Sequence, residues 1–161
     1  MTQRRTTLLI FNAALALLAA CVVGVPYGEA RKKETGESTW FHVAGTSDQW
    51  QLAHLEGLLN ATLVIALAAA LTRIALPGRS EPVVFWSLVA LSWGNLVGGV
   101  LAALGNDDSF NANLIVHNPL AMSFYGVAAV GAFVGFAEIA RCAWRQAQAL
   151  SSANSGDNLQ V

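Results

Sequence analysis

Apolar residues in this chain come in blocks. Four runs, Thr7 to Val25, Leu52 to Ile74, Val83 to Leu104 and Leu120 to Ile139, are each close to the ~20 residues that a helix rising ~1.5 Å per residue needs to cross ~30 Å of hydrocarbon. The pattern predicts an all-α membrane protein, a four-transmembrane-helix bundle with helices near 7–25, 51–75, 82–104 and 119–142 inside one domain, 1–145. Two short turns and one polar loop, Gly28 to Gln49, leave almost no material for a soluble domain. Residues 146–161 form a polar tail whose end, SSANSGDNLQV, has too few large apolar residues for a core and is expected to be disordered. Composition agrees: 55% of 161 residues are hydrophobic and 12% charged, against roughly 25% charged in ordinary soluble domains.

Charge sets the expected topology. Arg4, Arg5, Arg73, Arg79, Arg141 and Arg145 fall on one side of a four-span arrangement, and Arg31, Lys32 and Lys33 on the other. The positive-inside rule then puts both termini in the cytoplasm of a bacterial-type cell membrane. A net charge of −1 with no extended basic patch points to no nucleic-acid partner. The start, RRTTLLIFNAALALLAAC, has the outline of a lipoprotein signal ending at Cys21, but the apolar run continues through VVGV, as a first membrane helix would. Cys21 and Cys142 belong at opposite membrane faces, too far apart for a disulfide, and read as small packing residues.

Polar residues inside the second run carry the candidate chemistry. On a helix turning about 100° per residue, His54, Gly57 and Asn60 share an arc of about 120°, and Glu56 points about 160° away from His54. A histidine in a membrane helix is either a hydrogen-bonded packing residue or a functional one. Glu56, near the membrane boundary, reads as an interfacial group reaching water or headgroups.

The longer string FHVAGTSDQWQLAHLEGLLN favours the functional alternative. Phe41, His42, Val43, Gly45, Trp50, Ala53, His54, Gly57 and Asn60 resemble the pattern FHVxGxxxxWxxAHxGxxxN of the membrane-integral styrene oxide isomerases, allowing an offset at the second glycine. A W-x-N element, Trp93 to Asn95, extends the likeness along the chain. The resemblance implies ferric haem b held by His54 as the axial ligand of the iron, with Gly57 admitting the flat macrocycle. It implies a hydrophobic epoxide substrate, opened by the Lewis-acidic iron and converted to an aldehyde by a 1,2-hydride shift. Asn60 would hydrogen-bond the epoxide oxygen, His42 would support the site through a propionate, and Trp93 would line the pocket. A homotrimer in the lipid bilayer is implied as well.

One departure stands out. Where the family has a tyrosine on helix 3, a few residues after W-x-N, this chain has Gly98 or Gly99, a change expected to enlarge the pocket. Tyr125 on helix 4 is a candidate substitute. His117, in VHNPL, reads as an interfacial residue at a helix start or, less simply, as a second ligand. GNLVG at Gly94 to Gly98 and GAFVG at Gly131 to Gly135 let helices pack closely. Two further classes stay open, a haem protein for electron transfer or sensing and a non-catalytic membrane scaffold. Membrane electron carriers usually clamp iron between paired helix histidines, and here only His54 lies within a predicted helix.

Overall fold

The computed structural model describes residues 1–105 and 118–157, with side chains up to Ser152. Among these, four long helices follow one another: α1 (Gln3–Thr35), α2 (Ser47–Ala70), α3 (Ser80–Leu104) and α4 (Pro119–Asp157), with a 3₁₀ turn, Leu71–Arg73, closing α2. Each helix is long and apolar enough to cross a membrane. The chain is a multi-pass membrane protein with the bundle architecture that its apolar blocks predict.

Helix α2 has two neighbours. One stripe of it meets both α1 and α3, which also touch each other, and α3 packs in turn on α4. Leu9 of α1, Val64 and Ala68 of α2 and Val84 and Leu88 of α3 are fully buried where the first three helices meet. Lipid is as apolar as leucine, so close backbone approach supplies much of the helix association. At the α3–α4 seam, a Cβ added to Gly94 would lie 2.8 Å from the Ala128 Cβ, and one on Gly131 would lie 2.8 Å from the Ser87 carbonyl oxygen. Both GxxxG elements are therefore used within the chain.

Hydrogen bonds tie each end of the bundle. At one end the Glu81 carboxylate accepts from the Thr2 backbone N–H and hydroxyl, both at 2.6 Å, and pairs with Arg5. Arg141 donates to Ser80 and to Glu138, and the Gln146 side chain spans Ala75 and Arg73. Arg5, Arg73, Arg79 and Arg141 thus gather at one end, with Arg31, Lys32 and Lys33 at the other. This is the grouping expected from the sequence.

Helix lengths differ from expectation. Predicted to end near residue 25, α1 continues through Pro26 to Thr35, and α4 continues past residue 142 to Asp157, so the first part of the expected disordered tail is helical. Apolar runs measure the thickness of hydrocarbon, whereas helices persist beyond it on good helix formers such as the Ala, Arg, Lys and Glu of EARKKE and the Gln and Ala of RQAQAL. Pro26 removes one backbone donor but leaves the rest of the ladder intact. His117 lies outside the described residues.

Candidate functional site

Helix α2 is held in register by the polar segment before it. Glu29, only 3% exposed, accepts from the Lys32 ammonium at 2.8 Å and from the Trp40 N–H at 2.6 Å. Glu34 takes the Ser47 N–H and hydroxyl at 2.7 and 2.5 Å, tying the start of α2 to the end of α1. Thr46 and Gln49 form a reciprocal capping box, and the Trp50 indole N–H donates to the Ala44 carbonyl at 2.7 Å. Gly45 has a positive φ of 75°, and a side chain there would also collide with the Ala103 carbonyl at the end of α3. Much of the FHVAG…W string is therefore architecture. Val43 and Trp50 are buried, whereas His42 is exposed in the loop and no described residue connects it to His54.

His54 faces α1. Its Nδ1 lies 2.7 Å from the Ala20 carbonyl oxygen. A carbonyl only accepts, so Nδ1 carries the hydrogen, and in the neutral ring Nε2 holds the lone pair. The Tyr27 ring stacks beside the imidazole at a centroid distance of 6.5 Å, and Gly24 makes room, since a Cβ there would come within 3.1 Å of the His54 Cε1. This is how metal-ligating histidines are commonly oriented, with the second ring nitrogen fixed by a backbone carbonyl.

Gly57 differs from its expected role. A Cβ there would lie 2.6 Å from the Ala20 Cβ and 2.8 Å from the Leu96 Cδ1, so α1 and α3 fill the notch that a macrocycle was expected to use. By letting α1 approach so closely, Gly57 brings the Ala20 carbonyl onto His54. Its effect on the ligand candidate is indirect.

The opposite face of α2 holds a second polar group. Glu56, expected at the interface, is half-buried, and its Oε2 is buried with no hydrogen-bond partner among the described residues. The buried residues of α2, Ser47, Trp50, Ala53, Gly57, Ala61, Val64 and Ala68, form one stripe, and Glu56 lies outside it. Asn60 follows Glu56 by one turn, is half-buried, and makes no side-chain hydrogen bond among the described residues, so its amide is available to a ligand.

Gly98 and Gly99 do not open the pocket as expected. A Cβ on Gly98 would lie 3.2 Å from the Tyr125 ring, and one on Gly99 would lie 2.8 Å from the Ala53 Cβ and 3.4 Å from the Tyr125 hydroxyl. The space is occupied by helix α2 and by a tyrosine from α4. Trp93, half-buried on the same helix, follows Ser92, whose hydroxyl is buried without a partner among the described residues.

Among the described residues no three His, Cys, Asp or Glu side chains converge as a metal cluster, so His54 is considered as a single ligand. With this geometry in place, the family comparison becomes decisive: the styrene oxide isomerase family matches residues 5–144, nearly the whole bundle. The chain belongs to the styrene oxide isomerase family. Membership implies an isomerase. A search among curated proteins finds no match. Within this family member, His54 lies against α1, and Tyr125 of α4 lies over Gly98 and Gly99 of α3.

Proposed function

We propose that this protein is a membrane-integral epoxide isomerase that converts an aryl or other hydrophobic epoxide to an aldehyde, with ferric haem b bound through His54. The observation that carries the reading is the 2.7 Å contact of the His54 Nδ1 with the Ala20 carbonyl, which in the neutral ring leaves Nε2 as the nitrogen that would hold a haem iron. When bound, the ferric haem supplies a Lewis acid that polarises the epoxide C–O bond.

The chain's own residues supply the rest. Ala20 and Gly57 hold the His54 ring in one tautomer and one orientation. The Asn60 amide is free to donate to the epoxide oxygen as negative charge grows there, an interaction worth ~10²-fold or more in rate where oxyanions are stabilised this way. Apolar helices exclude water, so the benzylic carbon receives a hydride from its neighbour before hydrolysis to a diol. Every atom of the substrate is retained in the aldehyde, and no oxidant, reductant or water is consumed. The reading includes a homotrimer and cytoplasmic termini, both supported by resemblance and charge alone.

The test is an absorption spectrum joined to product analysis. Purified wild-type protein and His42→Ala should show the Soret band of ferric haem b and form phenylacetaldehyde from styrene oxide without added reductant; His54→Ala should lose the band. Full haem occupancy in His54→Ala would overturn the ligand assignment. A haem that cycles to the ferrous state and passes electrons to a quinone, with no aldehyde from any epoxide, would overturn the activity.

A further inference from the structure

Helix α1 continues past the end of its apolar run at Val25 to Thr35, and three side chains on this extension take hold of the segment before α2. Glu29 accepts from the Trp40 N–H, Lys33 donates to the Val43 carbonyl at 3.3 Å, and Glu34 accepts from the Ser47 N–H and hydroxyl. Each anchors the segment at a different point.

The anchored segment turns Val43 inward. It packs with Trp50 of α2, Ala30 of α1 and Ala103 of α3 in one buried cluster, which joins three helices at the end that carries Arg31, Lys32 and Lys33. Tyr27 packs against this cluster, and its ring stacks in turn on the His54 imidazole. Trp50 precedes His54 by one turn of α2, about 6 Å of rise. The cluster is thus the first layer above the candidate ligand.

We propose that Val43 and Trp50 form a plug that shuts this end of the His54 site against water, that the Glu29 and Glu34 carboxylates latch it, and that an apolar epoxide therefore enters sideways from the bilayer. The plug rests on packing alone. Its use, keeping water from the opened epoxide, rests on the isomerase reading above and deepens it.

The far end of the junction is closed as well. Toward Glu81, Leu9, Val64, Val84 and Leu88 fill the meeting place of the first three helices and have no exposed surface. With both ends packed, the flank of the bundle that faces lipid is the remaining approach, and an apolar molecule partitions there from water.

Paired backbone groups explain how a loop can serve as a plug, since buried N–H and C=O groups need partners. Besides the three anchors, the Ala44 carbonyl accepts from the Trp50 indole N–H. Gly45 turns the chain inward at a positive φ, with the Ala103 carbonyl standing where a side chain would be. On the outer side Trp40 and Phe41 are exposed, and the Lys32 ammonium lies 4.6 Å from the Trp40 ring centre, a pairing suited to the headgroup layer. The segment is apolar below and interfacial above.

Water competes with the isomerisation. If a water oxygen bonds to the benzylic carbon of the opened epoxide, loses a proton to solvent and the alkoxide gains one, the product is a diol instead of an aldehyde. A leak at the plug therefore changes the product as well as the rate.

The experiment reads the seal without relying on turnover. In a Cys21→Ser background, Val23→Cys places a thiol on an α1 residue that packs against the plug, while the native Cys142 is buried beside Arg141 at the opposite end. The protein in lipid nanodiscs is treated with a charged methanethiosulfonate and, separately, with an uncharged lipid-soluble maleimide, and modification of residue 23 is followed by peptide mass spectrometry. Compared are the intact plug, Val43→Ala, Glu29→Ala, Glu34→Ala, and Val84→Ala as a truncation at the far end. Expected is slow charged modification with the plug intact, a rise of ~10-fold or more in Val43→Ala and the two carboxylate variants, and no rise in Val84→Ala. The lipid-soluble reagent should react alike in all five, and diol from styrene oxide should appear only where the charged reagent enters.

Rapid charged modification with the plug intact, no rise in any variant, or an equal rise in Val84→Ala would overturn the plug. Unchanged rates in both carboxylate variants beside a raised one in Val43→Ala would overturn the latch. Failure of the lipid-soluble reagent to reach residue 23 would overturn the sideways approach, and diol-free turnover in a leaking variant would overturn the assigned use. A protein that yields no aldehyde from any epoxide would overturn the isomerase reading and leave the plug, read by labelling, in place.

Discussion

Replacing Gly99 by alanine tests whether the glycine pair is open space or packed contact. The added Cβ would lie 2.8 Å from the Ala53 Cβ and 2.9 Å from its Cα. Carbon atoms prefer ~3.5 to 4.0 Å, so α2 and α3 must separate by about 0.7 Å or more, and overpacking on this scale costs ~1 to 3 kcal/mol. Alanine also favours a helix over glycine by ~1 kcal/mol, which hides part of the loss. Gly28→Ala isolates that gain, because Gly28 is helical and exposed and has nothing within 4 Å of a new Cβ. The difference between the two variants is then the clash alone, ~1 to 3 kcal/mol, or about 2 to 12 °C in melting temperature at ~2 to 4 °C per kcal/mol for a chain of this size.

Cys142 gives the assay. It is 3% exposed and Cys21 is exposed, so in a Cys21→Ser background a thiol-reactive fluorophore reads only the opening of the bundle. Gly99→Ala should melt below Gly28→Ala. Melting at or above it would mean that the pair borders free volume, and would refute the packed contact between α2 and α3.

Gly45→Ala combines a positive φ with a collision against the Ala103 carbonyl, and should destabilise by at least the ~1 to 2 kcal/mol of the left-handed backbone. Faster hydrogen exchange over residues 40–50 would reveal it, and unchanged protection there would count against the loop's anchoring on α3. Topology is open to reporter fusions: sites at residue 78 and at the C-terminus should read cytoplasmic and one near residue 35 external. The reverse pattern would refute the charge argument.

The parts of this structure that were legible in the sequence are those governed by one length. Membrane thickness fixes the apolar run, so four spans and the two groups of basic residues follow from counting. Helix ends do not, because EARKKE and RQAQAL continue the helix in polar surroundings where hydropathy has nothing left to measure. His54 and Asn60 were visible as polar residues inside an apolar run. The partner that orients His54 was not, since Ala20 offers only a backbone carbonyl that every residue possesses.

Glu56 shows the same limit more sharply. Helical arithmetic sets it about 160° from His54, which on one helix alone reads as interfacial. The buried positions of α2 do form one stripe, and Glu56 lies outside it, yet its Oε2 is buried because the neighbouring side chains close over it. The absence of a tyrosine from α3 is likewise a statement about one helix, whereas the space is shared by three. Ala53 narrows it from α2, Gly98 and Gly99 clear it on α3, and Tyr125 fills it from α4. In a membrane bundle a functional group belongs to a volume before it belongs to a helix, so an apparent loss at one position calls for a search of every neighbour that can reach the same volume.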